Sequence, residues 1–440
     1  TAVLPFSSAD REFWRQFEAF LNECDGRFAF VLEHDGQARL YTDPVGMIGA
    51  VYDAEAHRFA SSVHLALTRP VEANPLYSAP ILDGIETRYG IFHTCDAHVK
   101  RLNPSYYLDL NTFAPHRFWP RNEVFSLDGT THAETYDEII ARLRFNTRAI
   151  VSAYPCALPL SGGRDSRILA SVASESLGDI RLCYTHVKNW ASSVDAHIGA
   201  AVASSLGVAH SVFGKLKEVR SERWERNLLN HAFEITHGSR TAPPQEYQNG
   251  LLGEVPSDYV ILRGHQTDFL RAVFVFRPKP EWSDPLWQIE RMLLEPRDAF
   301  TPEIGAHFAK DFMDWQATLP PNAMEKAADF MFLEVYYNSS LGALFPALWQ
   351  HFYLSPFNSR RLIELSLRFD EEERRQGFPV YDIIQKTAPA CAAVPFFQES
   401  AEPFADLSIP DLYGEVAKAR FADTQARLER YYENASLAAE

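Results

Sequence analysis

Between residues 156 and 213 the chain alternates short apolar runs with helix-length segments, and few folds accommodate such text. "CALPL", "IRLCYTHV" and "AHSVF" read as strands, while "SRILASVASESLG" and "SSVDAHIGAAVASSLG" read as helices, the second with a polar start and a closing Gly207. Strands separated by helices of this length imply a parallel sheet with right-handed crossovers. "DYVILRGH" leading into "QTDFLRAVF" is a further strand-to-helix unit. The fold class is therefore α/β.

Other parts of the chain follow different patterns. The first 115 residues or so alternate like strands joined by tight turns, as in "RFAFVLEHDGQARLYTD" and "GAVYDAEAHRFASS", and the Asp-Gly of "HDG" is a hairpin signal. A Pro- and aromatic-rich stretch, "NTFAPHRFWPRNE", precedes a helical pattern carrying Ile139, Ile140, Leu143 and Ile150. This places a boundary between 115 and 130, giving a small β-rich domain over 1–120 and an α/β domain over 121–440. Beyond residue 285 the chain reads as mostly helical, and the aromatic stripe of "AADFMFLEVYYNSSLGALFPALWQHFY" reads as core.

Composition removes several function classes. A net charge of -16 would repel a phosphate backbone, and no basic run offsets it. Cys24, Cys95, Cys156, Cys183 and Cys391 are odd in number and far apart, with no zinc-like spacing, so they read as reduced thiols. No apolar run approaches the length of a membrane span, and the first residues lack the pattern of a signal peptide. The expectation is a cytoplasmic protein that binds neither nucleic acid nor membrane.

The loop after the first strand of the α/β part, "LPLSGGRDSRILA", carries the chemistry. Open α/β sheets bind ligands beyond the carboxyl ends of their strands. Gly162 and Gly163 have no Cβ, so their amides approach an anion closely, and the helix that follows presents unpaired N–H groups. Ser161 and Ser166 add hydroxyls, and Asp165 suits a Mg²⁺ that bridges phosphate to protein. The loop lacks the lysine and the span of a kinase-type phosphate loop. The plainer alternative is a Gly-Gly turn capped by serine, with no ligand at all.

The string resembles the SGGxDS pyrophosphate loop of the ATP pyrophosphatase superfamily. More narrowly, the chain is similar to the asparagine synthetase and β-lactam synthetase family. Asp195, Val202-Ala203, Leu206-Gly207 and His210 follow at the family's steps, and "FEITHGSRTAPP" offers Glu234 and Arg240. "LRGHQTDFL" keeps Gly264 and Asp268 of the family's Gly-Glu-Gly-Ser-Asp-Glu, with His265 and Phe269 in place of the flanking acids. Upstream, "DGRFAFVLEHDGQARLYTDPVGMIGAVYD" is similar to the second half of the family's glutamine amidotransferase domain. The resemblance implies an ATP pyrophosphatase-type sheet with a helical C-terminal part and an amidotransferase-like remnant ahead of it. It further implies an AMP-forming ligase, using ATP and Mg²⁺, that joins a small-molecule or peptide carboxylate to an amine. Ser161, Gly162, Gly163, Asp165, Ser166, Tyr184 and Gly264 would bind the nucleotide, and Asp165 with Asp268 would hold the metal. Glu234 would take the amine's proton. Arg374, Arg375 and Lys386 are candidates for the family's C-terminal lysine on the α-phosphate, and a homodimer is possible.

The departures from the family shape the expectation. Its amidotransferase uses an N-terminal Cys, whereas this chain starts with Thr1 and the matching stretch is short. Glutamine hydrolysis is therefore expected to be lost, with the amine coming from the substrate as in β-lactam synthetases and lasso-peptide cyclases. Two rivals remain: a tRNA-modifying pyrophosphatase, against which the charge and the missing CxxC speak, and a non-catalytic nucleotide-binding descendant.

Overall fold

The computed structural model describes residues 6–77 other than 8, 89–187, 190–214, 254–273, 301–340 and 351–397, together with 231 and 235. The chain opens on a helix, Phe13–Asn22, which buries Phe13, Phe17 and Leu21 at four-residue spacing. The pattern of the first 115 residues reads as strands alone, so this helix is an addition to it. Strands β1 Ala29–His34 and β2 Gln37–Thr42 form the anticipated hairpin. Its two turn residues, Asp35 and Gly36, have φ of 48° and 74°, the pair of left-handed conformations that a two-residue hairpin turn requires. With β3 Val51–Asp53, β4 Arg58–Ala60, β5 Lys100–Arg101, β6 Tyr106–Asp109 and β7 Pro115–Arg117 they make two antiparallel sheets, ordered β1-β2-β6-β7 and β4-β3-β5.

A helix, His132–Ala153, then leads into the α/β part. It starts in a capping box: Thr131 Oγ1 accepts from the Glu134 N–H while Glu134 Oε2 accepts from the Thr131 N–H. Strands β8 Cys156–Pro159, β9 Leu182–Val187, β10 Ser211–Gly214 and β11 Val260–Leu262 fall where the apolar runs place them. A fifth, β12 Phe352–Leu354, completes a parallel sheet in the order β10-β9-β8-β11-β12. β12 lies at the end of the stretch read as helical, and three residues are too few to show a period of two. The segment after β11, also read as a helix, is a single 3₁₀ turn over Thr267–Leu270. It is bounded by Gln266 and Ala272, both at positive φ, which a regular helix does not accommodate.

The sheet is covered on both faces, as parallel sheets are. Cys156 and Leu158 of β8, with Val260 and Leu262 of β11, face one apolar layer. That layer is closed by Leu143, by Ile168 of the Arg164–Val172 helix, by Ile198 of the Trp190–Ser205 helix, and by Leu365 and Ile383 of the Arg360–Arg368 and Phe378–Thr387 helices. Ala157, Ile261 and Tyr353 face the other way. There they meet Phe17, Tyr41 and Trp119 from the first 120 residues, and Phe312 of the Pro302–Ala317 helix with Phe330 and Leu333 beyond it. One core thus runs across the position-120 boundary. Polar ties reinforce it: buried Arg360 donates to the carbonyls of Thr42 (2.9 Å) and Pro104 (2.8 Å), and Asn358 donates to Asp43 (3.0 Å). No disulfide joins the five cysteines, and burial pushes the Cys156 and Cys183 thiols up to about 11. No described helix is long and apolar enough to cross a membrane.

Candidate functional site

Strand order reverses at the middle of the parallel sheet, because the chain leaves β8 for β9 on one side while β11 pairs with β8 on the other. That reversal leaves a crevice beyond the carboxyl ends of β8 and β11. The SGGRDS turn enters it from β8, with Gly163 as the N-cap of the Arg164–Val172 helix. A Cβ on Gly162 would stand 2.6 Å from Ile198 Cδ1 and 2.8 Å from Phe397 Cβ, so only glycine fits. The Gly162 N–H donates to Asp195 Oδ1 (2.8 Å), and its carbonyl accepts from the Phe397 N–H (2.8 Å). Within the loop Ser161 Oγ and Ser166 Oγ are 2.8 Å apart, and the Gly163 N–H donates to Ser161 Oγ at 3.2 Å. The structure thus brings Ser161, Gly162, Gly163, Asp165, Ser166 and Asp195 together.

The facing wall comes from the turn after β11. Asp268 is brought to Asp165 there: Arg271 Nη2 lies 2.8 Å from Asp165 Oδ1 and also pairs with Asp268 Oδ1. Thr267 Oγ1 donates to Asp165 Oδ1 (2.5 Å), and Tyr337 OH donates to Asp268 Oδ2. Although nearly half of the Asp165 side chain faces the cavity, the protein around it pushes its carboxyl above the usual carboxylate range. Arg271 pulls in the opposite direction, and the neighbouring Asp268 charge adds to the rise. Burial would lower Arg271, but the two carboxylates outweigh it and hold the guanidinium above its ordinary range. Burial also pushes Asp195 up, partly offset by the Gly162 N–H. The Ser161–Gly163 turn, Asp165, Asp195 and Arg271 line a cavity of about 360 Å³, with Arg164, Phe396 and Phe397 completing the wall.

Gly264 explains how close the two walls come. A Cβ there would sit 2.5 Å from the carbonyl oxygen and 2.8 Å from the carbonyl carbon of Asp165, which are backbone atoms that cannot swing away. Gly264→Ala is expected to cost about 1–3 kcal/mol, the usual range for overpacking, and to part the two carboxylates. Gly163→Ala, whose Cβ would meet only Ser161 Oγ at 3.2 Å, should cost less. Urea unfolding of both variants checks the order; equal losses would contradict the close approach.

Other expected site residues lie elsewhere. Tyr184, expected to bind nucleotide, is 3% exposed on β9 with its ring against His186 and Phe213, because strand alternation turns it into the core shared with the first 120 residues. Of the three basic candidates, Arg374 is fully buried, donating to both oxygens of Asp329 (2.8 Å each) and to the Phe269 carbonyl (3.0 Å). Arg375 pairs with Glu371 and Glu372 of its own helix, and Lys386 stands 3.9 Å from Asp137. None of the three lines the cavity. Glu234 and Arg240 lie outside the described residues. Among the described residues, the basic side chains that line the cavity are Arg164 and Arg271. Sequence reasoning passed over both, although Arg164 sits inside the loop motif and Arg271 follows Asp268 by three residues.

A scan against protein-family models and a search of curated proteins found no match for this chain. The arrangement itself defines what the crevice can hold. Helix-terminal amides, two serine hydroxyls and two guanidinium groups suit an anion. One oxygen each of Asp165 and Asp268 converges on a single nitrogen atom, Arg271 Nη2.

Proposed function

We propose that the chain is an AMP-forming carbon–nitrogen ligase of the asparagine synthetase and β-lactam synthetase type, with an ATP pyrophosphatase-like sheet. The observation that carries this reading is the meeting of Asp165 and Asp268, from the ends of adjacent parallel strands, beside the SGGRDS turn. Asp165 and Asp268 would hold Mg²⁺, which neutralises phosphate charge when bound. The Ser161–Gly163 turn and the start of the Arg164–Val172 helix receive the β- and γ-phosphates of ATP. A substrate carboxylate attacks the α-phosphorus, the bond to the bridging oxygen breaks, and pyrophosphate leaves as the acyl-adenylate forms. An amine then attacks the acyl carbon, AMP departs and a proton is lost. Arg164 and Arg271 are the cations placed to follow the charge, in the role that the resemblance assigns to a C-terminal lysine.

The test is exchange of labelled pyrophosphate into ATP with Mg²⁺ and a panel of amino-acid and peptide carboxylates. Carboxylate-dependent exchange with AMP as product is expected; ADP as the main product would overturn the reading. A second reading, a nucleotide binder without turnover, is favoured by one observation: Arg271 Nη2 already pairs with both carboxylates. Tight ATP binding with no exchange for any carboxylate would select it.

A further inference from the structure

His93, His307 and Asp311, none of which lines the crevice, form a cluster that the proposed chemistry does not use. Their ligand atoms all lie within 4.8 Å of one another. His307 and Asp311 are one turn apart on the Pro302–Ala317 helix, where i,i+4 spacing places both on one face. His93 arrives from the loop ahead of β5 and is 2% exposed. Asp311 Oδ2 lies 2.9 Å from His93 Nε2 and 3.3 Å from His307 Nε2, so one carboxylate oxygen draws both imidazoles toward a shared point.

We propose that His93, His307 and Asp311 form a binding site for a zinc-like divalent transition metal. Two imidazole nitrogens and one carboxylate oxygen are the donor set that such ions take, with the fourth tetrahedral position left to water. Bond lengths near 2.0–2.1 Å put tetrahedral ligand atoms about 3.3 Å apart. The two observed carboxylate–imidazole separations, 2.9 and 3.3 Å, lie just below and at that value, and all three ligand atoms fall within 4.8 Å, a distance that small side-chain rotations close. The second shell is built as well. Tyr77 OH lies 2.8 Å from His93 Nδ1 and accepts from the Gly90 N–H at 2.7 Å. With His93 Nδ1–H donating to the Tyr77 oxygen, the Nε2 lone pair faces the shared point, as in metal-bound histidines generally. His307 is half exposed, which gives the ion a path from solvent. A bound ion would tie the loop around His93 to the helix carrying Asp311.

The probe is Co²⁺ added to the full chain after chelator treatment and dialysis, read by its visible absorption. One equivalent per chain, with the intense band of a four-coordinate site that Zn²⁺ displaces, is expected. His307→Ala should weaken binding more than about 100-fold, and Tyr77→Phe about 10–100-fold, the range for loss of an outer-shell partner. His98→Ala, a half-exposed histidine that pairs with Glu72, should change nothing. Circular dichroism shows that each variant is folded, and the exposed position of His307 makes its replacement mild. Absence of the band in wild type, wild-type affinity in folded His307→Ala, or loss of the band in His98→Ala would each overturn the site.

Discussion

Asp165→Asn is expected to lower pyrophosphate exchange by at least about 10³-fold while leaving the fold intact. The side chain keeps its shape but loses its charge, and a hard divalent cation prefers anionic oxygen. Metal stabilisation of a phosphoryl transition state amounts to several kcal/mol, and each 1.36 kcal/mol is about tenfold in rate. Stability should hold, because the amide oxygen can still accept from Thr267 Oγ1, as Asp165 Oδ1 does. Arg271 retains Asp268 as its partner in the variant. Asp268→Asn should behave alike in exchange, and there the Tyr337 hydroxyl still finds an oxygen to donate to. Exchange near the wild-type rate in Asp165→Asn would remove the metal from the mechanism. Lost exchange with a large drop in urea midpoint would instead mean that the carboxylate serves the fold.

How much of this was readable in advance depends on the range over which each feature is determined. The β1–β2 hairpin and the strands at 156–159, 182–187, 211–214 and 260–262 were legible because turn chemistry and alternation act within a few residues. Gly162 and Gly264 were legible as motif positions, but the reason for each lies in neighbours distant in sequence, Ile198 and Phe397 for one and the Asp165 backbone for the other. Arg271 escaped notice because its partners are set by the adjacency of β8 and β11, which no local pattern records. β12 has only three residues, and its identity as a strand comes from pairing with β11. The division at residue 120 followed a real change of pattern. That pattern says nothing of the core that joins Tyr41 and Trp119 to Phe330 across it.

The same seam yields the largest expected loss of stability, from Glu334→Gln. Glu334 is fully buried and receives both guanidinium nitrogens of Arg117 (2.7 and 2.8 Å), the indole N–H of Trp315 (2.7 Å) and the Asn103 amide (2.7 Å). Arg117 is on β7 and Trp315 on the Pro302–Ala317 helix, so one carboxylate joins the β-rich stretch to the helical part. An amide in its place would turn a donor toward donors and leave Arg117 buried without its counter-charge. Breaking one partner of such a pair costs about 3–5 kcal/mol. Burial alone would raise the Glu334 carboxyl, but Arg117 and the two neutral donors outweigh it and hold the group below its ordinary value of 4.5. A carboxylate whose folded-state pKa is depressed stabilises above the unfolded-state value and loses that contribution as pH falls through the folded-state value. The gap in unfolding free energy between wild type and Glu334→Gln should therefore be full at pH 7, begin to shrink below the unfolded value near 4.5, and keep closing as the medium becomes more acidic. Urea titrations of both proteins between pH 7 and pH 3 read it directly, wherever the wild type remains folded. A gap that is absent at pH 7, or that stays constant down the whole series, would show that the Glu334 charge does not hold the two parts together.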